Sequence, residues 1–332
     1  MSIFPFTTRS RFGVCSRLLL ILFVIVATTP AKADEHFPVA VKHVFGVTTV
    51  KVSPARIITI GWNGEDAVLA LGHIPVAMSR YDQFEDGIFP WDRSLLKDSH
   101  PALLAGELDY EQIASLKPDL ILAVYSGINE MQWRRLSSIA PTVVYRSGPW
   151  EADWKEVISI TGEALGKPAE AQTLVRETET FLRDLGARNT ELQGKTFTFG
   201  TYLPGANDII VYMPNDPRVA VLTLLGLEVP PAIQHLSREH PEKTSVSISL
   251  EQINQIDADI MIMWYREQAR IDAESQPLFN SLTAVNKGAY VALDDPVSVW
   301  ATSALSVLSI PYGFPQFVPR LVEAASKAER RR

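Results

Sequence analysis

The chain has 332 residues, 31 basic and 38 acidic side chains, a net charge of −7 at neutral pH, one cysteine and 46 % hydrophobic residues. That acidic balance argues against nucleic acid as a partner, because phosphate backbones are held by an excess of Lys and Arg. A single cysteine also excludes an internal disulfide framework.

At the N-terminus, Arg9, Arg11 and Arg17 precede an unbroken apolar run over residues 18–27 and then Ala31-Lys32-Ala33. This order predicts a cleavable secretory signal over residues 1–33, since ten apolar residues are too few to span a bilayer, which needs about 20. The only cysteine, Cys15, stands before the apolar run rather than just after it, so no lipid anchor is expected. Taking four basic residues from 31 leaves 27 against 38 acidic in the exported chain, a net charge of −11. The basic tail Arg330-Arg331-Arg332 reads as a solvated terminus.

RIITIGWNGEDAVLALG (56–72) predicts a buried strand followed by a helix. Further apolar runs, PVAMS, LILAV and TVVY, predict strands ending near Arg80 and Tyr81, Tyr125 and Arg146. LDYEQIASLKPDLILAVY (108–125) is echoed without a gap by ISLEQINQIDADIMIMWY (248–265), with Glu111 matching Glu251, Asp119 matching Asp259 and Tyr125 matching Tyr265. Each copy reads as a short helix, capped by Asp109 or Ser249, running into a buried strand. A looser correspondence sets residues 195–202 and 217–226 against 56–72.

Between the halves, Ala171, Leu174, Val175, Thr178, Phe181, Leu182 and Leu185 recur at helical spacing, Pro168 suits a first turn, and Gly194 suits a stop. One connector helix of about 24 residues, some 36 Å long at 1.5 Å per residue, is predicted. The expected architecture is α/β: two Rossmann-like lobes with mainly parallel sheets joined by a single long connector helix. Its parts are a signal over 1–33, an N-terminal lobe over 34–166, the connector over 167–193 and a C-terminal lobe over 194–332. Ligands of such sheets bind beyond the strands' carboxyl ends, so the expected cleft residues are Trp62, Arg80 and Tyr125 from the first lobe. Tyr202, Arg218, Trp264, Arg266 and Trp300 would face them from the second.

The residues 38–328 resemble the class III periplasmic binding proteins for siderophores, haem and cobalamin, through PARIITIGWNGEDAVLALGHIPV, both EQI repeats, the connector and PLFNSLTAVNKGAYVALDD. Gly61-Trp62 is most similar to the iron-siderophore binders. The resemblance implies a monomeric periplasmic protein, not an enzyme, that binds a ferric siderophore without a cofactor or resident metal and passes it to an ABC permease of the inner membrane. It also implies that Glu111 and Glu251 dock on that permease, and that Arg218 and Arg266 meet an anionic ligand. The family's first-lobe arginine positions carry Ala105 and Ile128 here, a departure.

Haem or cobalamin binding remains the alternative within the family. Direct zinc capture would rest on His235 and His240 alone, where three or four ligands are usual. An enzyme using Glu111 and Glu251 as an acid–base pair is disfavoured, because both stand at helix starts rather than at strand ends.

Overall fold

The computed structural model describes residues 36–266 and 268–329. The expected signal peptide and the basic tail lie outside these residues. A cis Phe37–Pro38 bond leads into an antiparallel hairpin of β1 (Val39–His43) and β2 (Gly46–Val50).

The first lobe's sheet runs β5-β4-β3-β6-β7, parallel throughout, from β3 (Ile57–Thr59), β4 (Ala77–Ser79), β5 (Ala102–Leu104), β6 (Leu120–Ala123) and β7 (Thr142–Val144). Every residue of β3, β6 and β7 is buried, as continuous apolar runs require when helices cover both faces. The covering helices are α1 (Gly64–Ala70), α2 (Arg93–Leu96), α3 (Tyr110–Ser115), α4 (Glu130–Ser137) and α5 (Trp154–Ala164).

The second sheet has the order β10-β9-β8-β11-β12, built from β8 (Phe197–Thr201), β9 (Asp208–Tyr212), β10 (Ser245–Ser249), β11 (Ile260–Trp264) and β12 (Tyr290–Leu293). Only β8, β11 and β12 are parallel; β9 and β10 run antiparallel to their neighbours. The link from β8 to β9, residues 202–207, is too short for a parallel crossover, which takes a dozen residues or more. The helix matched to α1 therefore comes after a hairpin, as α7 (Pro217–Thr223), followed by α8 (Pro231–Glu239).

The repeat has a structural meaning. The strands β6 and β11 occupy corresponding interior places, each preceded by a turn of helix, α in the first copy and 3-10 over Leu250–Ile256 in the second. Asp119 accepts the backbone N–H groups of Ala55 and Arg56, while Asp259 accepts the N–H and hydroxyl of Thr196. Each aspartate thus pins the chain entering the adjacent strand, β3 or β8. The echo therefore preserves a device for registering two parallel strands.

The connector α6 spans Pro168–Arg188 and is followed by a 3-10 turn, Thr190–Leu192. It stops five residues short of the expected 193, because Asn189 leaves helical geometry and its side chain takes the Leu185 carbonyl instead. At one end Ala171 lies against Gly162 of α5, and at the other Gly186 lies against the backbone of Leu225, so the helix touches both lobes. A Cβ on Gly186 would fall 2.4 Å from the Leu225 oxygen. Gly→Ala inside a helix is ordinarily favourable by about 0.5–1 kcal/mol, yet here overpacking dominates, typically ~1–3 kcal/mol. Gly186→Ala should lower stability in urea titrations by about 1 kcal/mol. A gain would mean that this contact does not hold the helix to the second lobe.

The remaining helices are α9 (Ala269–Glu274), α10 (Thr283–Asn286), α11 (Pro296–Ser303) and α12 (Ser309–Ala328). The segment joining the last two returns to the first lobe: Leu305 accepts from the Asn63 side chain at 2.8 Å, and the Ser306 hydroxyl donates to Asp66. Trp300 packs against Trp62, Tyr81 and Phe89 at centroid distances of 5.0, 5.2 and 5.4 Å. The described residues accordingly belong to one compact unit.

Candidate functional site

Gly61 has φ +98, and a Cβ there would fall 2.2 Å from the Tyr125 carbonyl, so only glycine lets the end of β3 close on the end of β6. The Trp62 amide donates to that same carbonyl at 2.9 Å. The indole of Trp62 is thereby held beyond the strands' carboxyl ends.

There a cavity of about 850 Å³ opens, lined by Trp62, Arg80, Tyr110, Met131, Arg135 and Trp150 among others. Its wall is drawn from residues 60–150, the first lobe alone. Trp62 meets Trp150 at 5.3 Å and Tyr125 at 6.0 Å, forming an aromatic corner. The guanidinium of Arg80 is oriented by Asp82 at 2.8 Å. Arg135 lies over the Tyr110 ring at 4.0 Å and is exposed. It forms no ion pair among the described residues.

A smaller crevice, about 80 Å³, joins the lobes and is lined by Tyr125, Trp150, Asn215 and Arg218. Asp216 caps α7 through the Arg218 amide and grips the Arg218 guanidinium with both oxygens, at 2.8 and 2.7 Å. The guanidinium also lies 3.6 Å over the Tyr212 ring. Burial alone would lower the Arg218 pKa, but the Asp216 carboxylate outweighs it and moves the pKa above its ordinary value. Burial raises both the Tyr125 and Tyr212 phenols, opposed by the Arg218 charge. The crevice therefore presents a balanced ion pair between neutral phenols.

The expected residues thus separate. Trp62 and Arg80 line the large cavity, whereas Tyr125 and Arg218 line the crevice. Trp264 donates to the Tyr212 hydroxyl at 2.8 Å, and the exposed Arg266 lies 5.7 Å from its ring, so both sit next to Arg218's supports without lining either opening. Trp300 is spent on the aromatic seam between the lobes.

Tyr202 is a correction: it is 2 % exposed and its hydroxyl donates to the Ala206 carbonyl, making it a core residue that closes the β8–β9 link. Arg146 likewise points elsewhere, to Glu163 and the Lys42 carbonyl. Tyr125 and Tyr265, equivalent in the repeat, diverge, because Tyr265 is buried with its hydroxyl 2.6 Å from that of Tyr290.

Two residues were missed. Trp150 follows Arg146 by four positions in the loop after β7, adopts φ +62 and is 48 % exposed while lining both openings. Left-handed backbone at a large non-glycine residue is strained and concentrates at functional sites. Arg135 sits in the last turn of α4, so no strand-end pattern marks it. Ala105 and Ile128 do line the cavity, and Arg80 and Arg135 supply its cations from other positions.

Glu111 and Glu251 are both exposed, each one residue into its helical turn behind a capping Asp109 or Ser249. His235 pairs with Glu239, at 3.3 Å. Neither His235 nor His240 belongs to any cluster of three potential metal ligands among the described residues.

A family model described as "Periplasmic binding protein" matches residues 59–297. The chain is 27 % identical over 305 residues to "Probable siderophore-binding lipoprotein YfiY" of Bacillus subtilis (strain 168), covering 86 % of this chain and 90 % of that protein. It is 28 % identical over 294 residues to "Fe(3+) dicitrate-binding periplasmic protein FecB" of Escherichia coli (strain K12), covering 88 % and 89 %. The structure of PiaA from Streptococcus pneumoniae TIGR4 in complex with ferrichrome superposes with a TM-score of 0.79 at 30 % identity, covering 88 % of this chain and all of that one.

Proposed function

Because the chain belongs to the periplasmic binding protein family, we propose that it captures a ferric siderophore at the carboxyl ends of the first lobe's strands and delivers it to an ABC permease of the inner membrane. The observation that carries this reading is the open, aromatic-cornered cavity of about 850 Å³ with Arg80 and Arg135 in its wall. Its size suits a small molecule, for which pockets of ~300–1,000 Å³ are usual. Tryptophan faces favour the organic shell of an iron chelate, and the guanidinium groups favour its anionic oxygens. Relatives named for ferric dicitrate and siderophores support this class.

In this proposal Trp62, Trp150, Arg80 and Arg135 contact the ligand first. Tyr125, Arg218, Trp264 and Arg266 close on it from the crevice and the second lobe, and Trp300 holds the lobes together. Glu111 and Glu251 contact the permease. The division at 34–166, 167–193 and 194–332, the periplasmic location after signal removal, the monomeric state and the lack of enzymatic turnover or a cofactor belong to the same reading.

Intrinsic tryptophan quenching across ferric citrate, ferric hydroxamates, ferric catecholates, haem and cobalamin tests it. At least one ferric complex is expected to bind with a sub-micromolar Kd, more than about 8 kcal/mol. Trp62→Ala should weaken it about tenfold, since a buried aromatic contact is worth ~1 kcal/mol beyond its area. Tight cobalamin or haem binding with no ferric siderophore bound would overturn the reading.

A further inference from the structure

Glu65 and Asp66 open α1 and Asp92 precedes α2, and all three are completely buried. One oxygen from each lies within 4.8 Å of the others. Asp66 Oδ2 accepts from Trp91 Nε1 at 2.8 Å and from the Ser306 hydroxyl. Glu65 accepts from Thr59 at 3.5 Å and from Tyr81, whose own oxygen is taken by the Asn63 amide.

Four oxygens remain without a hydrogen-bond partner: Glu65 Oε1, Asp66 Oδ1 and both oxygens of Asp92. Asp92 is the decisive one. It comes from a different element, is sealed from water, meets no N–H or O–H donor, and aims its carboxyl at that of Asp66. No Lys, Arg or His side chain is among the groups acting on the three; they feel burial, one another and neutral donors. Uncompensated carboxylates cannot share a dry core, so positive charge must join them, as protons or as a cation.

The donor set favours a cation: both oxygens of Asp92 lack any N–H or O–H donor, and one ion can take an oxygen from each residue and a second from Asp92. An all-oxygen donor set suits a hard ion, and a site sealed from water suits Ca²⁺ better than Mg²⁺, which dehydrates reluctantly and usually keeps several waters. We propose that Glu65, Asp66 and Asp92 form a buried Ca²⁺ site at the junction of the two lobes, tied to the second lobe through Ser306. Without the ion, burial pushes the Glu65 carboxyl up to about 7 and those of Asp66 and Asp92 well above the usual carboxylate range. The cluster then holds protons in its place. The site is separate from the siderophore cavity and stands whether or not that ligand is correctly identified.

Because the site is sealed, the test loads it during folding: the exported chain is unfolded in urea and refolded with EDTA, Ca²⁺ or Mg²⁺. Ca²⁺ at about a hundred times its Kd should raise Tm by at least about 5 °C over EDTA. Tb³⁺ should show luminescence sensitised by the adjacent Trp91 indole, removed by excess Ca²⁺. Asp92→Asn keeps the side chain's shape and should fold with a metal-free Tm no lower than that of the parent, but lose both the Ca²⁺ shift and the Tb³⁺ signal. Equal Tm values in EDTA and Ca²⁺ without Tb³⁺ luminescence would overturn the proposal in favour of protons. A full Ca²⁺ response in Asp92→Asn would overturn the ligand set, and an equal shift with Mg²⁺ would overturn the choice of Ca²⁺.

Discussion

Replacing Glu111 and Glu251 together by alanine is expected to leave siderophore affinity within about twofold while cutting uptake through the partner permease by about tenfold or more. Both side chains are exposed, and Glu251 lines neither opening while Glu111 is likewise absent from both walls. Their amides, not their carboxylates, engage the capping Asp109 and Ser249, so alanine leaves both helical turns capped. The fold therefore has little to lose. A docking charge acts chiefly on the rate of productive encounter, where complementary fields change association by factors of ~10 to 1,000. Titrating the purified double variant and measuring uptake in cells would separate the two quantities. Lost binding with normal uptake by saturated protein would move the glutamates from the docking face to the ligand site.

Asp216→Ala is expected to produce the largest loss of stability among single changes at the crevice, about 4 kcal/mol. Two effects combine. The substitution removes the side-chain cap of α7, worth ~1 kcal/mol. It also strips Arg218, only 22 % exposed, of its bidentate partner, and breaking a buried pair costs ~3–5 kcal/mol. The lower end applies because Arg218 keeps the Tyr212 face and some contact with water. Asp216→Asn, which keeps a capping oxygen and loses the charge, should cost about half as much. Ligand should recover part of the loss in Asp216→Ala if its anionic oxygens reach Arg218. A loss below about 1 kcal/mol in urea titrations would show that the pair is not an anchor of the crevice.

Much of the architecture was legible because its causes are local. Continuous apolar runs gave β3, β6 and β7, since a strand buried on both faces has no polar side to show, and the looser correspondence of residues 195–202 with the start of the first lobe gave β8. The gapless repeat identified β6 and β11 as counterparts, and the shared aspartates proved to be register pins. Pro168 and the apolar stripe marked α6. The antiparallel β9 was not legible, because its link to β8 reads like any strand exit until its length is set against the span a crossover must cover.

The sequence by itself determined the alternation of strands and helices, the twofold repeat and the exposed position of the two glutamates, all functions of a residue's immediate neighbours. Which strand-end side chains reach an opening was decided only by tertiary packing. Tyr125 stays at the crevice while Tyr265 turns inward to Tyr290, and Tyr202 is consumed by the β8–β9 link, although all three follow strands alike in sequence. Trp150 and Arg135 enter the cavity from a loop and a helix whose positions depend on contacts far along the chain. The same holds for Asp92, 26 residues beyond Asp66 in the sequence. Its carboxyl meets that of Asp66 only once α1, α2 and the segment carrying Ser306 have closed around one buried point.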